Sequence, residues 1–96
     1  MIADKADGDA QISTPLYALL YVARAGVEQD MNHTDLALID LEEAVKLDAS
    51  QPETYLVRGQ IYLSRKKKEL AKRDFEKAVS LGVPQSEVRE LLKKCN

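Results

Sequence analysis

The chain has 96 residues, 45% apolar and 31% charged, a composition that folds as one small domain and excludes a disordered chain. Its 14 basic and 16 acidic residues leave a net charge of −2, which excludes the strong basic field that nucleic acid requires. No apolar run approaches the ~20 residues of a membrane helix, and the single cysteine, Cys95, can form no internal disulfide.

Residues 1–13 carry Asp4, Asp7, Gly8 and Asp9 without periodicity and are expected to form a flexible leader. They hold no apolar stretch of signal-peptide type. The expected place is therefore the cytoplasm, unless the chain is a fragment without its export signal. Thr14 and Pro15 supply a cap and a first helical residue, so a first helix is predicted from Pro15 to about Asp30. "MNHTD" then reads as a turn, with Asn32 or Thr34 as the next cap. In "DLALIDLEEAVKLD", residues 35–48, Ala37, Leu41, Ala44 and Val45, flanked by Leu36 and Leu47, make a wide helical stripe.

"DASQPE" breaks that pattern, and Ser50 with Glu53 has the spacing of a capping box before a third helix that runs to about Ser64. The basic turn "RKKK", residues 65–68, leads into a fourth helix that stops at Gly82, with Pro84 just beyond. "QSEVRELLKKC" predicts a short fifth helix with Val88, Leu91 and Leu92 on one side. No stretch reads as a strand, and the class is all-α.

The second helix is echoed 34 residues later by "ELAKRDFEKAVSLG". Sliding residues 18–47 over 52–81 gives nine identities in thirty: Tyr21/Tyr55, Arg24/Arg58, Leu36/Leu70, Ala37/Ala71, Asp40/Asp74, Glu42/Glu76, Ala44/Ala78, Val45/Val79 and Leu47/Leu81. Small residues, Ala25, Ala37, Gly59 and Ala71, stand where paired helices must approach closely. Bulky Leu41, Tyr55, Tyr62 and Phe75 stand where the gap must be filled.

A helix-turn-helix unit repeated at this period resembles the tetratricopeptide repeat (TPR) family. The second copy carries the pattern in Tyr55, Arg58-Gly59, Tyr62, Ala71, Phe75 and Ala78. The first carries it more weakly in Tyr21, Arg24-Ala25, Glu28, Ala37, Leu41 and Ala44. The resemblance implies a short α-solenoid of antiparallel helix pairs, about five helices in all. A single domain over 14–96 would comprise repeat one at about 18–51, repeat two at about 52–84 and a capping helix at about 85–95. Where the family usually has Leu, both copies have Arg, and both carry an Asp in the following helix. Either Arg24 and Arg58 extend to solvent along their stems, or each pairs with Asp40 or Asp74 across the two helices.

No catalytic, cofactor or metal site is expected. His33 is the only histidine and lies in a turn, and there is neither a phosphate loop nor a nucleophile elbow. "RKKK" reads as a solvated turn, and Cys95 as a small apolar residue or a free thiol. The resemblance implies a non-catalytic module that binds a peptide or helix of another protein on its concave face. Position by position that face is Leu19, Val22, Gly26 and Gln29, then Glu53, Leu56, Gln60 and Leu63. The family's chaperone-tail subgroup places Lys and Asn where this chain has Val22, Gly26, Leu56 and Gln60, so clamping a C-terminal carboxylate is not expected. A second reading is a C-terminal capping and assembly segment of a longer array. An apolar first unit, with Leu16, Tyr17, Leu20, Leu38 and Ile39, would then self-associate as a homodimer.

Overall fold

The computed structural model describes the backbone of residues 2–96 and the side chains of residues 15–96. Five helices follow in order among the described residues: α1 (Ile2–Asp30), α2 (Thr34–Leu47), α3 (Pro52–Ser64), α4 (Lys68–Ser80) and α5 (Gln85–Lys94). α1 pairs with α2 and α3 with α4, each across a short turn that makes the partners antiparallel. α3 also lies against both helices of the first pair, and α5 lies against α4. The result is an all-α helical-repeat stack.

The turns have one construction. A residue in the left-handed region follows α1, α3 and α4: Asn32 (φ 65°), Lys66 (φ 63°) and Gly82 (φ 115°). After each, two amides fold back on the last helical turn. His33 N donates to Glu28 O at 2.7 Å, Lys67 N to Tyr62 O at 2.8 Å and Val83 N to Ala78 O at 3.1 Å. These are Schellman closures, which satisfy the orphan carbonyls of the helix end. Gly82 adopts its φ at no steric cost, as its place after α4 predicts.

Three boundary expectations are corrected. α1 does not begin at Pro15 but contains it; the proline removes one N–H, while the Leu- and Ala-rich stretch after it favours the helix. The expected leader over 1–13 falls on residues whose side chains lie outside the described ones. The cap of α2 is neither Asn32 nor Thr34, because Asn32 closes α1 and Thr34 is already helical; His33 takes the position. Ser50 does not cap α3, since its hydroxyl and its amide both donate to Asp48 Oδ1, at 2.6 and 3.0 Å. Gln51 is the N-cap and Pro52 opens the helix, where a missing N–H is harmless.

Two apolar clusters hold the stack. Ala18, Val22, Ala25, Ala37, Leu41 and Ala44 form the first, and Ile61 of α3 joins it, with Val57 packed alongside. Ala71, Phe75, Val88 and Cys95 form the second, overlaid by Leu56, Leu63, Leu91 and others. The small residues sit where expected: a Cβ placed on Gly59 would lie 2.7 Å from Phe75 Cε1. Gly59→Ala is therefore expected to destabilise by about 1–2 kcal/mol, because overpacking outweighs the helix propensity gained. Urea unfolding measures it, and an unchanged midpoint would mean that α3 and α4 have room to separate.

Candidate functional site

The expected concave residues lie on α1 and α3, the first helix of each pair. The structure leaves Leu19, Glu53 and Gln60 exposed and Gln29 and Gly26 half-buried. Val22 is corrected: at 8% exposure it belongs to the first core cluster and supports that surface from beneath. Leu56 and Leu63 are half-buried because α5 and α4 close over the second cluster, leaving only their outer edges available. The face that α1 and α3 present is thus mainly neutral, with Glu53 as its one exposed charge among these residues.

Between the helices of each pair the structure decides the question left open for the arginines. Arg24 Nε and Nη2 donate to Asp40 Oδ2 and Oδ1 at 2.7 and 2.6 Å. Arg58 Nε and Nη2 donate to Asp74 Oδ2 and Oδ1 at 2.9 and 3.0 Å. Each fork is bidentate and joins the first helix of a pair to the second. Each guanidinium also lies over tyrosine: Arg24 is 5.4 Å from the Tyr21 ring centre, and Arg58 is 5.6 and 5.9 Å from those of Tyr55 and Tyr62. Asp74 and burial act oppositely on Arg58, and the hydrogen bond to Asp74 prevails, holding it more firmly protonated than usual.

Their surroundings differ. The Arg58 side chain is 19% exposed and that of Arg24 is 62% exposed, although Asp40 and Asp74 are both buried. Glu28 stands in the first repeat where Tyr62 stands in the second. Its carboxyl is pushed up, chiefly by hydrogen bonding with Asp40 when protonated, then by burial. The Arg24 fork holds Asp40 below the usual carboxylate range. A sequence alignment by repeats marks Glu28 as a departure, but only the fold brings it beside Asp40.

Of the residues expected on an assembly face, Leu16, Tyr17, Leu20 and Ile39 are more than half exposed. Leu38 is half-buried, packed against the first cluster. Sequence reasoning missed Val27, Met31 and Leu36, which are also exposed and apolar. The signal was present in the four-residue step from Leu16 to Leu20 and the seven-residue step on to Val27.

The basic turn is partly engaged, since Arg65 Nη2 donates to Asp35 Oδ1 at 2.8 Å and so ties the two repeats at their turn ends. Cys95 is buried in the second cluster, its Sγ 3.4 Å from Leu91 O, and burial pushes the thiol pKa up. No helix among the described residues is long and apolar enough to cross a membrane. Comparison with protein families matches residues 52–81, from α3 to the end of α4, to the model described as tetratricopeptide repeat. No curated protein and no solved structure matches the chain.

Proposed function

The chain carries a tetratricopeptide repeat, a protein–protein interaction motif of a generally non-catalytic family, and from that premise we propose that it binds a peptide or helix of another protein on its concave face. The observation that carries this reading is the surface of α1 and α3, where Leu19, Gln29 and Gln60 remain available between the two cores. With mixed apolar and amide character and Glu53 as its charge, that surface suits the apolar side of an amphipathic helix or an uncharged extended segment. The half-buried Leu56 and Leu63 offer a firm floor, because α4 and α5 hold their inner sides.

An isotope-labelled NMR titration with amphipathic helical peptides tests the reading. Shifts are expected at Leu19, Gln29 and Gln60, and Gln60→Asp is expected to weaken binding about tenfold, or ~1.4 kcal/mol, with an unchanged melting temperature. Shifts confined to the exposed sides of α2 and α4, with Gln60→Asp neutral, would overturn it.

A further inference from the structure

One stripe of the helical repeat occurs three times at the 34-residue spacing, and two of the three are covered. In α3 it is Thr54, Val57 and Ile61, with Thr54 and Ile61 at 0% exposure where α3 meets the first pair. In α5 it is Val88, Leu91 and Cys95, with Val88 at 0% in the second cluster. In α1 it is Leu20, Ala23 and Val27, and here Leu20 is 63% and Val27 57% exposed. The two forks differ in the same sense, the Arg58 side chain being 19% exposed and that of Arg24 62%.

We infer that this outer face of α1 is a self-association surface, on which a second copy of the chain lays its own α1 antiparallel about a two-fold axis beside Ala23.

The form of the stripe identifies a helix as its occupant. Leu16, Leu20, Ala23 and Val27 follow at steps of four, three and four, the rhythm of a helix-on-helix seam. Met31 comes four residues later and keeps the helical register, because its N–H donates to Val27 O at 3.0 Å. This seam reads alike in both directions. About the point between Ala23 and Arg24, Leu16 mirrors Met31 and Leu20 mirrors Val27, and the small Ala23 lies where two backbones come nearest. A two-fold interface requires such self-complementarity, and an unrelated helix does not.

Charge agrees with this arrangement. Arg24 lies next to the axis, where two guanidinium groups would approach each other, and each is neutralised by its own Asp40 fork. A cleft of about 380 Å³ lined by Tyr17, Leu20, Tyr21 and Arg24 flanks the seam and offers a hole for the partner's Val27. Leu16, Leu20, Val27 and Met31 are each more than half exposed, so a partner helix laid along this seam buries apolar surface at every turn from Leu16 to Met31. Head-to-tail stacking is disfavoured, because the exposed side of α5 carries Arg89, Glu90, Lys93 and Lys94. The seam borders the concave face at Leu19 but not at Gln29 or Gln60, so Gln60→Asp tests the proposed function without touching this inference.

Sedimentation equilibrium and oxidative cross-linking test it on the whole chain. The mass is expected to double across the micromolar range. Leu20→Asp combined with Val27→Asp is expected to weaken the dimer at least about a hundredfold with an unchanged circular dichroism spectrum, since both side chains are exposed in the monomer. Ala23→Cys is expected to form a disulfide-linked dimer, which the wild type, with only the buried Cys95, does not form. A mixture of Leu16→Cys and Met31→Cys chains is expected to cross-link to each other, whereas Leu16→Cys alone does not. A monomer at every concentration, or Leu16→Cys chains that cross-link among themselves, would overturn the inference.

Discussion

Phe75→Ala is expected to destabilise the fold by about 3–5 kcal/mol and to lower the melting temperature by roughly 15–30 °C. Phe75 is the largest fully buried side chain, and its ring fills the space left open by Gly59 on the facing helix. Gly59 has no side chain that could move into the void, so the cavity stays largely uncollapsed. The ring also belongs to the cluster that seats Val88 and Cys95, so loss of the ring loosens α5 as well as the α3–α4 pair. A chain of this size has about 5–15 kcal/mol of stability in total, which makes this single change a large fraction. Thermal and urea unfolding followed by circular dichroism would measure it. A loss under about 1 kcal/mol would mean that α4 is not seated on α3 through this ring.

The second large effect is expected at Asp74. Asp74→Ala removes both acceptors of the Arg58 fork and leaves a guanidinium that is mostly buried between two tyrosine rings. The expected loss is about 2–3 kcal/mol, below the full cost of breaking a buried pair because part of Arg58 reaches water. Asp40→Ala breaks the twin fork, but Arg24 is largely exposed and rehydrates in place, so its loss is expected to be smaller. Adding Arg58→Leu to Asp74→Ala puts an apolar side chain between the tyrosines and removes the stranded charge, and it is expected to recover most of the stability. A double-mutant cycle by urea unfolding reads all of these values. Equal losses at Asp40 and Asp74 would show that the burial of Arg58 has no bearing on the strength of the fork.

Much of this architecture is legible in the residues because the chain states it twice. The 34-residue echo placed both helix pairs, and the alternation of Gly59 and Ala71 with Tyr55 and Phe75 marked where the helices touch. Gly82 announced the end of α4 through a backbone angle that other residues adopt at a cost. Caps were read less well. A cap is decided by one or two hydrogen bonds, and Ser50 had a competing acceptor, Asp48, two residues away. Among the candidate concave residues, Leu19 and Gln60 are open as expected, whereas Val22 is not, since α3 leans on the first pair and closes over that side of α1.

Patterning along the chain therefore determined the helical class, the 34-residue period and the apolar stripes of α2 and α4, because each follows from residue size and spacing, whereas the place of Val22 in the core does not. What only tertiary structure decided is how equivalent positions part company. Arg24 and Arg58 share a residue type, an Asp partner and a fork geometry, yet one is open and the other enclosed. The neighbours differ in two ways: Tyr62 lies over Arg58 where the first repeat has Glu28, and α3 lies against a preceding helix pair, whereas the outer face of α1 has no helix on it among the described residues. Exposure is a property of what lies next to a helix, and that depends on stacking between segments far apart in the chain.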